Sequence, residues 1–298
     1  MPLDTATAVT RVADVLADAA ARGPVLTLTG AGVSTDSGIP DYRGPDGARR
    51  VTPMSHQTFV GSTEARRRYW ARGFLGWARF HAAEPNPTHH AIAGLQRAGA
   101  LADLITQNVD GLHQRAGSPD VIELHGSLAD VVCLDCGARF DREAIQLIMA
   151  DLNPRFADEV TALVGGSRVS SQIRPDGDVV VDERAVAGFR LPVCLRCDAD
   201  TLKPDVVFFG GSVPKERVEH CYALTDAASS LLVLGSSLQV MSGYRFVRRA
   251  AARGVPVVII TRGPTRGDGE ATLRIDAALA EVMPALAASL TPDGSAGR

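Results

Sequence analysis

Apolar and polar positions along this chain alternate between two periods. From Ala6 to Arg22 the apolar residues Val9, Val12, Leu16 and Ala20 recur every three or four positions, which predicts an amphipathic helix ended by Gly23-Pro24. Val25-Leu26-Thr27-Leu28 follows as a short apolar run with the length and composition of a buried strand. The same reading predicts helices over 64–80, 87–98, 217–227, 243–253 and from 277 onward despite Pro284. Strands are predicted over 101–106, 121–124, 205–209, 231–234 and 255–260. Strand, loop and helix in repetition is the pattern of an α/β fold built on a doubly wound, Rossmann-like parallel sheet.

One interruption, from Val131 to Leu202, does not follow the alternation, and it begins and ends with cysteine pairs. It is expected to form a smaller zinc-binding module, leaving residues 1–44, 85–130 and 203–298 as the Rossmann-like nucleotide-binding part. Residues 45–84 are expected to form a helical and loop insertion that contributes to the cleft. In it, Tyr69, Trp70, Phe74, Trp77 and Phe80 form an aromatic stripe of core type, while Arg66, Arg67, Arg68, Arg72 and Arg79 argue against a wholly buried helix.

Composition narrows the functional classes. With 298 residues, 45% of them hydrophobic and 22% charged, the chain is long enough to bury a sizeable core without covalent staples. A net charge of −3 gives no reason to expect nucleic acid as the main partner, and no apolar stretch has the length of a membrane span. Asp4, Asp14 and Asp18 near the start are unlike a secretory or transit segment, so a cytoplasmic location is expected.

The candidate chemistry begins with the cysteines. Cys133-x-x-Cys136 and Cys194-x-x-Cys197 offer four thiolates, enough for one closed, tetrahedral and therefore structural zinc site, and Gly137 eases the first turn. A disulfide framework or a redox pair is the alternative reading of the same cysteines. Cys221, in a helical stretch, reads as a small buried hydrophobe.

Thr29 to Gly44 is the densest polar stretch, and it follows the first strand directly. Gly30 and Gly32 would leave main-chain N–H groups bare, and Ser34, Thr35 and Ser37 would add hydroxyl donors, which suits a phosphate. The G-x-G-x-x-G fingerprint is not met, because Gly38 comes too late, so a tight turn without a ligand remains the second reading. Gln107, Asn108 and Asp110 end one predicted strand and His125 ends another, where ligand groups gather in an open parallel sheet. His125 is the candidate base, since imidazole titrates near neutral pH, and His113 is a candidate supporting partner.

These residues resemble the sirtuins, NAD-dependent protein lysine deacylases. The resemblance rests on G-A-G-V-S-T-D-S-G-I-P-D-Y-R-G at 30–44, T-Q-N-V-D-G-L-H at 106–113, L-H-G at 124–126, both cysteine pairs, K-P-D-V-V-F-F-G at 203–210 and G-S-S-L-Q-V at 235–240. R-Y-W-A-R at 68–72, P-D-G-D at 175–178, S-G-Y-R-F at 242–246 and G-P-T-R at 263–266 resemble the class II branch of that family, which includes the mitochondrial sirtuin four. The resemblance implies that Gly30, Ala31 and Gly32 cradle the NAD phosphates, with Ser34 and Gly38 in the same loop, and that Asp41, Tyr42 and Arg43 belong to a cofactor-binding loop. It also implies that Gln107, Asn108 and Asp110 line the nicotinamide and ribose pocket, and that Gly235, Ser236 and Ser237 hold the adenosine side.

In the implied reaction the acyl oxygen of a modified lysine attacks the ribose carbon as nicotinamide leaves, and His125 assists a ribose hydroxyl in attacking the resulting imidate. Asn108 and Asp110 share that catalytic end, and the products are nicotinamide, free lysine and O-acyl-ADP-ribose. Val207, Phe208, Phe209 and Gly210 fall on the segment that pairs with substrate backbone, which implies acyl-lysine proteins or peptides as partners. Two departures stand out: Gly211 replaces a frequent Glu, and Thr261 replaces a frequent Asn, leaving ribose hydrogen bonds to Thr261 and Gly263. Tyr69 and Arg72, three apart on a predicted helix, form a Tyr-x-x-Arg pair like the one that recognises acidic acyl groups in one branch, and the expectation is a preference for succinyl or glutaryl over acetyl. Transfer of ADP-ribose to another acceptor, or sensing of NAD without turnover, are the competing functions.

Overall fold

The computed structural model describes residues 4–43, 48, 52–163, 177, 179 and 186–291. Gly44, and residues 175, 176 and 178 of the P-D-G-D motif, lie outside the described residues. Six strands, β1 (Val25–Thr29), β2 (Leu104–Thr106), β3 (Val121–Glu123), β7 (Ser230–Leu234), β8 (Val257–Ile260) and β9 (Leu273–Ile275), form one parallel sheet in the order β3-β2-β1-β7-β8-β9. This is the doubly wound order, and its direction of winding reverses between β1 and β7. Thr29 pairs with both Thr106 and Leu234, and Leu234 with Ile260, so the carboxyl ends of the four central strands finish level.

Both faces of the sheet are covered, which is why β1 and β7 are apolar almost throughout and fully buried. On one face pack α1 (Thr5–Ala20), α4 (Pro87–Arg97) and α10 (Leu279–Leu290), through residues such as Val12, Leu16, Ile92, Leu95, Val282 and Leu286. On the other lie α8 (Lys215–Ala227) and α9 (Met241–Ala252), through Cys221, Phe246, Val247 and Ala250. The short strand β9 carries too few apolar positions to stand out from the sequence.

The segment expected to resume the parallel alternation at Asp205–Phe209 does something else. Its strand is β6 (Leu202–Val206), which lies antiparallel to β4 (Gly126–Cys133) in a separate sheet of order β5-β4-β6, with β5 spanning Arg139–Asp141. The chain leaves the second cysteine pair alongside the strand that led into the first pair, and this return path fixes the antiparallel pairing. The small sheet therefore reaches beyond residues 131–202 at both ends.

A second core binds this sheet to α2 (His56–Gly61), α3 (Thr63–His81), α6 (Arg142–Leu152) and α7 (Phe156–Leu163). The aromatic stripe of α3 is its centre: Trp70 is 1% exposed and its Nε1–H donates to the Leu202 carbonyl at 2.9 Å. The Arg142 guanidinium lies 4.6 Å from the Trp77 ring and 5.2 Å from that of Trp70. Burial holds its pKa down to about 10. Of the five arginines on α3, Arg66 is buried: it donates to both Asp200 carboxylate oxygens at 3.0 Å, to the Asp200, Phe59 and Val60 carbonyls, and to the Thr63 hydroxyl.

Arg66 is thus the polar clasp between α2, α3 and the residues after the second cysteine pair. Arg66→Met should cost at least ~2 kcal/mol of unfolding free energy, because Asp200 and three carbonyls lose a charged donor. Denaturant melts of Arg66→Met, Asp200→Asn and the double variant measure this, and additive single effects would refute a coupled clasp.

Candidate active site at the reversal of the sheet

A cavity of about 570 Å³ lies where the winding reverses. The loops after β1, β2, β7 and β8 form one wall, contributing Gly30, Ala31, Gly32, Ser34, Gln107, Asn108, Asp110, Gly235, Ser236, Ser237 and Thr261. His125, between β3 and β4, lines it too, and the segment Val207, Phe208, Phe209 and Gly210 after β6 contributes to the rest of the lining with Tyr69. Asp41, Tyr42 and Arg43 also line it. Arg72, Gly38 and Gly263 are not among the lining residues.

The N–H groups of Gly30 and Gly32, expected to be bare, are bonded within the protein. Gly30 N–H donates to the Leu234 carbonyl at 3.0 Å and Gly32 N–H to the Gly235 carbonyl at 2.8 Å, so neither is bare. A Cβ on Gly30 would sit 2.8 Å from Ser236 Cβ, one on Gly32 2.8 Å from the Gly235 oxygen, and one on Gly235 2.6 Å from Val33 N. Gly235 also has φ +61°. The side chains are missing there because two backbone loops pass in contact. Gly38, at φ +84°, ends a short 3₁₀ turn, and the Gly263 N–H is held by Asp276 Oδ1 at 3.1 Å.

The hydroxyls expected to meet an anion are likewise engaged within the protein. Ser34 Oγ donates to Asp110 Oδ2 at 2.7 Å and accepts from Asn108 Nδ2 at 3.0 Å. Ser37 Oγ accepts from Asn86 Nδ2 at 3.0 Å, and Thr35 Oγ1 donates to the Gly32 carbonyl at 3.1 Å. Asn108 Nδ2 also donates to the Gly30 carbonyl, and Gln107 Nε2 to the Thr29 carbonyl and to Ser236 Oγ. Asp110, half-buried at the edge of this network, has its pKa raised by desolvation, against which the Leu112 N–H and the Ser34 hydroxyl act. The polar residues at the strand ends thus pair with each other and fix the cavity wall.

His125 is set by two neighbours. Nδ1 lies 2.8 Å from the Gln107 carbonyl, which can only accept, so Nδ1 carries the proton and Nε2 is the basic nitrogen. Nε2 lies 2.8 Å from Ser242 Oγ, which therefore donates to it. Burial lowers the His125 pKa, partly offset by the Gln107 hydrogen bond and reinforced by the Arg217 charge, so the ring is neutral at neutral pH and ready to accept a proton. Ser242 was missed as a site residue; it lies in the quoted S-G-Y-R-F motif, but nothing in its spacing pointed to His125.

His113 does not reach Asp110. Its Nε2 bonds Thr29 Oγ1 at 3.0 Å, and its ring lies 4.8 Å from that of His89, whose Nδ1 accepts from the Asn86 N–H. Desolvation first holds both values low, His113 at about 3 with the His89 charge adding to it, and His89 at about 4 with the His90 charge adding to it.

The four cysteine sulfurs lie within 4.8 Å of one another, with Cys133 to Cys197 at 3.7 Å and Cys136 to Cys194 at 3.6 Å. Zinc–sulfur bonds of about 2.3 Å give tetrahedral edges of about 3.8 Å, so the set fits one zinc ion. Each knuckle closes with a backbone bond, Gly137 N to the Cys133 carbonyl and Asp198 N to the Cys194 carbonyl, with Gly137 at φ +71° and Asp198 at φ +59°. The Arg196 N–H points at Cys194 Sγ at 3.4 Å. The cavity's donor set fits an anionic dinucleotide: Arg43, Arg245 and Arg262 line it against two carboxylates, Asp41 and Asp110.

Two outcomes follow from this geometry. The protein should carry about one zinc per chain, and Cys136→Ser should lose it together with thermal stability; metal-free protein with an unchanged melting temperature would contradict the site. The two buried histidines have folded-state pKa values below the ordinary 6.5, so their stabilisation is complete above pH 6.5 and declines as pH falls toward 4. Denaturant unfolding between pH 7 and 5 should lose up to ~1.4 kcal/mol per pH unit for each histidine below pH 6.5, and a flat profile would show that they are not buried neutral.

Residues 30–242 match the model of the Sir2 family. The NAD-dependent protein deacetylase 1 of Streptomyces coelicolor is 53% identical over 261 residues, covering 87% of this chain and 84% of the relative. The NAD-dependent protein lipoamidase sirtuin-4 of Bos taurus, a mitochondrial protein, is 45% identical, covering 87% of this chain and 80% of its own. A solved structure of a Sir2 protein with a p53 peptide and NAD⁺ superposes with a TM-score of 0.68 at 30% identity, covering 93% of this chain and 96% of that one. With this family match and these relatives, and with a doubly wound sheet, a four-cysteine module and a cavity lined by the sheet's carboxyl edge and His125, the chain belongs to the Sir2 family.

Proposed function

We propose that the protein removes acyl groups from lysine side chains of proteins at the expense of NAD, releasing nicotinamide and O-acyl-ADP-ribose. The observation that carries this reading is the His125 imidazole, half-buried in the cavity lining with Nδ1–H fixed by the Gln107 carbonyl and Nε2 left as the base. The relatives named as deacetylase and lipoamidase support the reaction class.

Bound NAD would supply a ribose carbon activated by the departure of nicotinamide. Arg43 and the loops at Gly30–Gly32 and Gly235–Ser237 would bind it along the sheet's carboxyl edge. Asn108 and Asp110, tied through Ser34, would hold the ribose end. His125 Nε2 would take the proton from a ribose hydroxyl, and its developing charge would be shared with the Gln107 carbonyl through Nδ1–H. The segment 207–210 would pair with the substrate main chain, held in place by the Val207 N–H bond to the His125 carbonyl at 2.7 Å and by the Phe209 carbonyl's bond from His56 N.

The acyl preference belongs to the same proposal. Tyr69 lines the cavity and Arg72 follows one helical turn later, outside the lining, so a preference for an acidic acyl chain, succinyl or glutaryl, over acetyl would require the Arg72 side chain to turn toward the cavity. A cytoplasmic setting, in which four metal-binding thiols stay reduced, is part of the reading.

The test is NAD-dependent turnover of lysine peptides carrying acetyl, succinyl, glutaryl and branched acyl groups. Nicotinamide release should accompany cleavage, and His125→Ala should lower turnover by about 10²- to 10⁴-fold. Arg72→Met should narrow the preference for acidic groups. Equal efficiencies for acetyl and glutaryl peptides would end the acidic-acyl reading. Binding of NAD without cleavage of any peptide would replace deacylation by ADP-ribosyl transfer or sensing.

A further inference from the structure

The basic nitrogen of His125 is directed at another side chain. Ser242 Oγ lies 2.8 Å from Nε2, lines the same cavity, and is the second residue of α9. A neutral imidazole protonated on Nδ1 has one lone pair, on Nε2, and in this structure the Ser242 hydroxyl occupies it. Any substrate hydroxyl that gives its proton to Nε2 must bond along that same direction.

The placement of Ser242 is built into the backbone. The next residue, Gly243, lies so close to Gln107 that a Cβ there would fall 2.5 Å from its Oε1. The Gln107 amide cannot swing aside freely, because its Nε2 donates to the Thr29 carbonyl and to Ser236 Oγ, and its main-chain carbonyl accepts a hydrogen bond from His125 Nδ1–H. The first turn of α9 is therefore seated on the residue that orients the imidazole, and Ser242 reaches the ring's opposite nitrogen from there. The two hydrogen bonds hold the ring at both ends.

We propose that Ser242 is a positioning residue for His125: its hydroxyl occupies Nε2 in the resting site as a stand-in for the ribose hydroxyl, and is displaced from Nε2 when that hydroxyl binds. This rests on His125 being the base of the proposed reaction. Held in this way, the imidazole keeps its tautomer and orientation while the site is empty, and the arriving ribose exchanges one hydroxyl for another. No bond other than a hydrogen bond changes partner in the exchange. The opposing cost is the loss of the Ser242 bond, which weakens binding of any ligand that uses Nε2.

The experiment compares the parent with Ser242→Ala and Ser242→Thr, the second retaining a hydroxyl at the same position. Calorimetric titration with ADP-ribose, which carries the nicotinamide-side ribose hydroxyls, should show binding about 2- to 10-fold tighter in Ser242→Ala, the range that follows from removing one competing hydrogen bond, and near the parental value in Ser242→Thr. In the ligand-free protein, ¹⁵N NMR of the imidazole should give an Nε2 shift characteristic of a hydrogen-bonded acceptor in the parent and in Ser242→Thr. In Ser242→Ala it should move toward that of a free lone pair, and ADP-ribose should return it. Unchanged affinity and an unchanged Nε2 shift in a folded Ser242→Ala protein would overturn the proposal, as would a Thr variant that behaves like Ala. If the spectra and affinities behave as expected but His125→Ala still deacylates peptides, the placement of Ser242 stands and the assignment of His125 as base fails.

Discussion

The close passage of two backbone loops holds the active end of this protein together. After β1 and β7 the chain turns through Gly30-Ala31-Gly32 and Gly235-Ser236, and two N–H groups of the first loop bond the Leu234 and Gly235 carbonyls of the second strand and its loop. Side chains on any of three glycines would enter the opposite backbone. In an open parallel sheet the adjacent loops diverge at the reversal point and leave a crevice. Here the crevice is kept, but its floor is stitched by main chain, so the loops that face a ligand cannot drift apart.

That floor in turn fixes the polar side chains. Ser34 is presented by the first loop, Asn108 and Asp110 by the end of β2, and each bonds another instead of solvent. A buried polar network of this kind is costly unless every member finds a partner, and once satisfied it has few alternative arrangements. Gln107 links the network to the catalytic end: its side chain is bonded to the β1 and β7 loops while its carbonyl orients His125. The low polarity that raises the Asp110 pKa and lowers that of His125 is one environment acting on groups of opposite charge type. It favours the uncharged form of each.

The alternation of periods in the sequence is enough for five of the six strands of the parallel sheet and for its covering helices, because strands buried on both faces are mainly apolar and the helices keep a one-sided stripe. The four cysteines were legible for a similar reason, since a knuckle needs its two sulfurs at fixed spacing. What escaped was set by partners distant in sequence. Asp205–Phe209 reads as another apolar strand, and only its pairing with Gly126–Cys133 takes Leu202–Val206 into the small sheet. Gly30 and Gly32 read as bare donors because nothing local reveals that Gly235 lies against them. Ser242 is an ordinary serine at a helix start until His125 is brought to it by β3. Arg66 reads as one exposed arginine among five, and the Asp200 that buries it comes far later in the chain.

The position of His125 ties the two walls of the cavity together. It stands where the chain passes from the large sheet into the small one, between Glu123 at the end of β3 and Gly126 at the start of β4. Gly126 has φ +81°, and a Cβ there would lie 1.9 Å from the Asp205 carbonyl oxygen, so β4 and β6 are pressed together at this crossing. The chain returns past the same point, where Val207 N donates to the His125 carbonyl. One residue thus gives its ring to the wall formed by the parallel sheet and its carbonyl to the wall that begins with Val207. A ring mounted only on the large sheet would hold its distance to that wall but not to the wall that begins with Val207. Mounted at the crossing, the ring is referenced to both sheets, because the residue that carries it is bonded to the returning chain through Val207 N.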